Sequence, residues 1–288
     1  MLREPERNPA DRMRGAAFLV IFSTSFKQAT KSKWLIMFTI VFFILAVHPP
    51  LLQLQYIGLL PPNYIAFYMG TLISNYFILM PLLALPLGSV SVVEDRESGA
   101  LGYVLSTRIG RAYFLTARFA GLLAATSVII ALGFGIAALF TFQLTAGSIQ
   151  LVYVTIAALF LNASMLGLSF LVSTLSRKRL TAHSMAILLW FIFTYASITL
   201  NLSNASPFLP GKAYAPLLPW IYLNPVVMAR LVALMQMSSG LQDIGSAGLA
   251  VQYFYGANTI NVLYEWMAVW VIVTMAAAYV IFRFQDIR

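Results

Sequence analysis

The stretch "SVVEDRESGALGYVLSTRIGRAYFLTARF", Ser91–Phe119, decides how this chain must be laid out. It carries Glu94, Asp95, Arg96, Glu97, Arg108, Arg111 and Arg118, and apolar runs flank it on both sides. The chain has 288 residues, of which 60% are hydrophobic and only 9% charged. A soluble domain carries about 25% charged residues. A water-soluble globule of this length has no interior able to hide so much apolar surface, so lipid is the solvent for most of it. In a bilayer, spanning structure is restricted to helices or closed barrels, because every backbone polar group must be satisfied internally. Several apolar runs exceed the roughly 20 residues a helix needs to cross. They lack the two-residue alternation of a barrel. The quoted stretch is therefore a polar elbow between two membrane crossings.

Working outward, the expected fold is an all-α integral membrane protein with six spans. They lie at about residues 33–56, 66–93, 113–142, 149–175, 181–202 and 259–282. Pro49 and Pro50 should kink the first span or end it early, since proline removes a backbone donor and clashes with the preceding turn. Pro81 and Pro86 lie inside the second.

Orientation follows from the basic residues. Arg3, Arg7, Arg12, Arg14, Lys27, Lys31 and Lys33 sit before or at the start of span one. Arg96, Arg108, Arg111 and Arg118 belong to the elbow and its edge, Arg177, Lys178 and Arg179 join spans four and five, and Arg283 and Arg288 follow span six. The other side has only Lys212 and Arg230. Lysine and arginine are retained in cytoplasmic loops. Both termini and the elbow are thus expected in the cytoplasm, with the chain a multi-pass protein of the inner (plasma) membrane. The same rule accounts for the net charge of +9 without invoking nucleic acid. The charged N-terminus has no cleavage site after its first apolar run and does not read as a signal peptide.

Two segments outside the spans stand out. Residues 1–32 form a cytoplasmic N-terminal segment, in which Gly15–Thr30 places Phe18, Phe22 and Phe26 at four-residue spacing before Lys27. That pattern predicts an amphipathic helix on the inner membrane surface. Residues 203–258 form the large external region of the 33–288 transmembrane domain. Within it, "LNPVVMARLVALMQM" offers Asn224 as N-cap and Pro225 at the first helical position. Val227, Leu231 and Leu234 share a face, and Arg230 adds a charge. A short helix embedded in the outer leaflet, or re-entrant, is expected. Tyr214, Trp220, Tyr222, Tyr253, Phe254 and Tyr255 around it suit an interfacial aromatic belt.

Enzyme chemistry is sparse. The absence of cysteine excludes disulfides, iron–sulfur clusters and thiol catalysis. His48 and His183 fall near span ends on opposite membrane faces, which builds no metal site of ordinary ligand spacing. Glu265 stands near the outer end of span six. No Gly-x-x-x-x-Gly-Lys-Ser/Thr string is present; "SPFLPGKAY" around Lys212 lacks the first glycine and the Ser/Thr. No cofactor is expected on this chain, and any ATP and Mg²⁺ must bind to another. Asn75, Gln143 and Asn162 inside spans are expected to hydrogen-bond between helices. Gly133 and Gly135 suggest a close helix contact in span three.

In the elbow itself, Ser98 is expected to cap a short helix with Leu101, Val104 and Leu105 on one face. Thr107–Gly110 reads as a turn, and Arg111 restarts the helix of span three. This segment resembles the cytoplasmic elbow of exporter-type ABC transporter permeases of the second type, whose pattern is an acidic pair, Glu-x-Gly-Thr-Leu, Leu-Ser-x-Pro and later basic residues. The matching residues are Glu97-Ser98-Gly99-Ala100-Leu101, then Leu105-Ser106-Thr107-Arg108, Gly110-Arg111 and Arg118-Phe119, with Ala100 for the usual threonine and Arg108 for the usual proline. "SFKQATKSKWLIMF" resembles the family's lead-in to span one, and "LNPVVMARLV" resembles the external helix of the nitrous-oxide-reductase maturation branch. The resemblance implies a permease dimer, most simply a homodimer, with two ABC ATPase subunits. It implies that Glu94, Asp95, Glu97, Gly99, Leu101, Leu105, Arg108 and Arg111 form the coupling helix seated in the ATPase. The interfacial helix would be a second contact.

Function is expected to be that of the transmembrane subunit of an ATP-driven exporter. An alternative is an assembly subunit that relays ATP-driven motion to an extracytoplasmic protein through Asn224, Pro225, Arg230 and Leu231 without moving a substrate. A third is an intramembrane enzyme using His48, His183 or Glu265.

Overall fold

The computed structural model describes residues 9–54, 64–106, 109–141, 148–202, 215–237 and 245–285. Those residues are helical apart from short breaks. In chain order they form α1 (Pro9–Thr30), α2 (Lys33–Leu54), α3 (Tyr64–Ser89), α4 (Ser91–Glu97), α5 (Ala100–Ser106) and α6 (Arg111–Thr141). These are followed by α7 (Ser148–Leu175), α8 (Arg179–Leu202), α9 (Leu218–Tyr222), α10 (Pro225–Met237), α11 (Gly245–Tyr255) and α12 (Thr259–Phe284).

Among the described residues, five helical stretches are long and apolar enough to cross a membrane: Leu72–Glu97, Arg111–Leu139, Gln150–Leu175, Arg179–Ile198 and Ala247–Phe284. Two bent pairs, α1 with α2 at 60° and α9 with α10 at 108°, raise the number to seven if each is one span. The expected six lie within that range. α2 runs through Pro49 and Pro50 to Leu54, so the prolines do not end the helix there. The last apolar stretch begins at Ala247, well before the expected Thr259, because α11 leads through one 3-10 turn straight into α12.

α7 is the central post. It packs against α3, α6, α10 and α12. Lipid gives helices no hydrophobic reason to associate, so close packing of small residues and interhelical hydrogen bonds must hold them. Both are present. A Cβ on Gly88 would lie 1.8 Å from Ser169 Oγ, and one on Gly167 would lie 2.5 Å from Thr274 Oγ1, so α3 and α12 press on α7 where it has no room to spare. Asn162 Nδ2 donates to Thr126 Oγ1 at 2.8 Å, tying α7 to α6 as expected of a polar residue in a span, and Ser164 Oγ donates to Met267 O at 3.1 Å, tying it to α12. Trp190 of α8 donates to Ile78 O at 2.9 Å, beside Pro81. Gln143 lies outside the described residues.

An aromatic stack joins α2, α3 and α6. Tyr76 lies parallel to Phe42 with centroids 4.9 Å apart, meets Phe134 at 4.9 Å, and donates its hydroxyl to Phe42 O at 2.6 Å. Gly133 allows this approach, with its Cβ position 3.4 Å from Tyr76, whereas Gly135 faces open space.

Candidate functional site

The elbow begins where α3 breaks at Val90. α4 ends in a left-handed residue, Gly99 at φ +76°, the conformation glycine adopts without steric cost. Ser98 N donates to Glu94 O, and Gly99 N donates to Arg96 O. Ser98 is therefore the C-cap of α4, with its hydroxyl donating back to Asp95 O at 3.3 Å, and not the N-cap of the next helix as its sequence position suggested. α5 follows at once. Its Leu101 is fully buried while Gly102 and Tyr103 are exposed, Tyr103 to 78%. Leu105 lies on α5, and Arg108 lies outside the described residues.

Most of the charge on α4 is spent within the molecule. Asp95 pairs with Arg118 of α6, both side chains largely shielded at 17% and 11% exposure. Glu94 and Glu97 both pair with Arg179 at the start of α8, each at 3.1 Å. Glu97 also accepts the Arg179 N–H at 3.0 Å, a carboxylate on an otherwise unsatisfied helix N-terminus, where the helix dipole favours negative charge. Arg96 reaches the C-terminal carbonyls of α7, donating to Ser176 O at 2.8 Å and Thr174 O at 3.5 Å, and also bonds the Gln285 side chain. The hydroxyl of Ser173 accepts both Val92 N and Val93 N, at 2.9 and 3.1 Å. Arg111 donates to Phe282 O at 2.9 Å, to Arg283 O and to Gln285 O at 3.2 Å, satisfying the end of α12. Gln285 in turn donates to Thr174 O at 2.7 Å.

This clasp fastens the elbow to the adjoining ends of α6, α7, α8 and α12. Of the residues expected to form the coupling helix, Glu94, Asp95, Glu97 and Arg111 are brought together in it. Arg96, Arg118, Ser173, Arg179 and Gln285 complete it. Arg118 carried a signal, a charge eight residues inside an apolar helix; Gln285 carried none.

α1 lies along α6. Phe18, Phe22 and Phe26 are half-buried, with Phe22 and Phe26 rings 6.4 Å apart, and Lys27 is exposed. The tightest point is Gly121, where a Cβ would stand 2.6 Å from Phe22 O and 2.8 Å from Ser25 Cβ. Leu19 and Val20 point away and are 65% and 62% exposed.

α10 departs from a surface-lying helix. Asn224 caps it as its sequence suggests, with Oδ1 accepting Val226 N at 2.9 Å and Val227 N at 3.3 Å, and Pro225 is its first residue. Val226, Val227, Met228, Ala229, Leu231, Val232 and Ala233 are all buried, so the helix is inserted among α3, α7, α8 and α12. Asn224 Nδ2 donates to Phe193 O at 2.8 Å. Arg230 is half-buried, and its Nε has no acceptor.

The sequence that builds these helices is similar to that of known proteins. Residues 19–287 match the model of the ABC-2 family transporter protein. The chain belongs to the ABC-2 transporter family. One relative, from Stutzerimonas stutzeri, is 31% identical over 267 residues, covering 88% of this chain and 93% of its own length. A second, from Pseudomonas aeruginosa, is 26% identical over 273 residues, covering 89% and 94%. Both are described as "Probable ABC transporter permease protein NosY". The resemblance carried by the elbow is thus a family membership. This ABC-2 chain is a permease, an integral membrane subunit. Among its described residues no group of three or more His, Asp or Glu could hold a metal ion.

Proposed function

We propose that this permease is the membrane half of an ATP-driven exporter, energised by a separate ABC ATPase that docks on the elbow at 94–111. The observation that carries the proposal is the clasp. A helix displaced by a partner moves only what it is attached to, and α4 is attached to the ends of four spans at once. A push on α5 is therefore delivered to α6, α7, α8 and α12 together, the kind of rigid-body rocking that alternating access requires. The surface offered to the ATPase is the remainder of the elbow: Ser98, Gly99, Ala100, Gly102 and Tyr103 are exposed. ATP and Mg²⁺ sit in the ATPase, two copies serve a permease dimer, and both termini share the cytoplasmic side with the elbow.

Co-expression with an ABC ATPase subunit from the same organism tests this. The ATPase is expected to co-purify with the wild-type permease and to be lost with Tyr103→Asp, while the variant stays monodisperse. No co-purification, together with full function after deletion of residues 98–106, would sink the proposal.

A second arrangement draws on Trp220, Leu223 and Tyr253, large side chains exposed to 65%, 59% and 55% around α9 and α11. There an extracytoplasmic protein would receive the motion and no substrate would pass. Substrate flux from reconstituted permease and ATPase, with no third protein, would exclude it.

A further inference from the structure

A cavity of about 200 Å³ opens beside the elbow, between α1, α2, the α3–α4 junction, α6 and α8. Its lining is mixed. Ala29, Pro86, Leu87, Val90 and Leu122 give it an apolar side. Glu94, Arg118, His183, Trp34, Ser32 and Gln28 give it a polar one. Trp34 is half-buried, and its indole N–H, shielded from solvent, has no acceptor in the protein. The cavity lies where the basic lead-in of Lys27, Lys31 and Lys33 meets the first long apolar helix, a position expected near the membrane interface, since basic residues gather at the ends of spans.

We infer that this cavity binds the headgroup of a zwitterionic phospholipid bearing a primary ammonium. The lining holds one carboxylate and one guanidinium, so it is balanced for a ligand that carries both signs and not for a net anion. Glu94, already paired through Oε1 with Arg179 at 3.1 Å, accepts the ammonium at Oε2. Arg118 is itself held by Asp95, which leaves its charge partly neutralised and its guanidinium fixed in the wall. The phosphate and ester oxygens are met by N–H and O–H donors, with Trp34 supplying the one that the protein leaves unused. The apolar side receives the first part of the acyl chains, which commits the site to a lipid and not to a free phosphoamine. Glu94 and Arg118 also belong to the clasp, so occupancy bears on the set of the elbow; that consequence alone rests on the proposed coupling.

Native mass spectrometry of the full-length permease tests the binding without reference to transport. The protein is titrated with phosphatidylethanolamine and with phosphatidylglycerol at equal concentration. Selective retention of phosphatidylethanolamine is expected. Loss of a hydrogen bond to a charged group is worth about 1.5–3 kcal/mol, so Glu94→Gln and Trp34→Phe should each lower retention by about tenfold or more. Arg179→Gln removes the other partner of Glu94 but lines no part of the cavity, and should keep retention. Equal or preferential retention of phosphatidylglycerol, wild-type retention by both Glu94→Gln and Trp34→Phe, or equally effective competition by soluble glycerophosphoethanolamine would each overturn the inference. Trp34→Phe keeps an aromatic ring while removing the indole N–H, and its elution as a single species confirms that a loss is not misfolding.

Discussion

Asp95 and Arg118 show at the scale of one residue pair why the elbow's charges are not simply a solvated surface. Both are mostly shielded. Removing one partner leaves the other buried and unpaired, which costs about 3–5 kcal/mol. Asp95→Asn and Arg118→Met are each expected to lower the thermal midpoint of the permease strongly, and the double variant to be less damaging than the two losses added. Additivity in that double-mutant cycle would show that the pair is not coupled. Glu97 and Arg179 are more exposed, at 34% and 45%, and screening reduces such pairs to about 1 kcal/mol or less. Gly99 makes a cleaner test of backbone strain. A Cβ there meets nothing within 4 Å, so the only cost of Gly99→Ala is its φ of +76°. That cost is about 1–2 kcal/mol. It should weaken the α4–α5 corner, read as faster proteolysis at the elbow with the rest of the chain unaffected. The sequence marked Glu97 and Gly99 as a motif but could not show that the acids are paired within the chain, because their partners lie 23 to 85 positions away.

Among the helices, the spans were legible and their contacts were not. Length and hydropathy place α3, α6, α7 and α8 with little error, because twenty apolar residues have one way to satisfy their backbone in lipid. The glycines that set the spacing of those helices carry no local mark. Gly133 and Gly135 drew notice as a pair, yet Gly88, Gly121 and Gly167 are where neighbouring chains come closest. Gly121→Ala is expected to be the most disruptive alanine substitution at the α1–α6 seam, since the obstruction is the backbone oxygen of Phe22 and no side chain can swing clear. Overpacking of this kind costs about 1–3 kcal/mol. The measurement is the thermal midpoint of the purified permease, which should fall in Gly121→Ala and stay near wild type in Gly135→Ala, whose Cβ position meets nothing within 4 Å. α10 shows where sequence stops, since sequence left an outer-leaflet helix and a re-entrant one both open. Its Asn-Pro start and apolar faces predicted the helix and its cap. Only tertiary packing buries it between α3, α7, α8 and α12, because an apolar thirteen-residue helix fits a protein interior as well as an outer leaflet.

For the whole molecule, the clasp, the end of α12 and the cavity beside α1 gather at one end of the bundle, and the α9–α10 corner belongs elsewhere. A chain without cysteine makes this directly testable. Tyr103→Cys should react with an impermeant maleimide only from the cytoplasmic side, and Leu223→Cys only from the opposite side. Labelling of both from one side would reverse the reading of α9–α10. The expected sidedness comes from the basic residues, because retention of lysine and arginine depends on loop charge. How α10 is threaded among the spans depends on long-range contacts that no single stretch encodes.

The inward turn of the elbow's acids has one more consequence. The outermost turn, Ser98, Gly99, Ala100, Gly102 and Tyr103, carries no charge of its own, while Glu97 beside it is exposed but paired with Arg179. A subunit seated there is held by shape and by the burial of one tyrosine, interactions that dissolved ions do not attenuate. At molar ionic strength the screening length falls to about 3 Å, and a contact built on Glu94, Asp95 and Glu97 would come apart. The permease–ATPase complex is expected to survive gel filtration in roughly 1 M sodium chloride, despite the acidic sequence of the elbow.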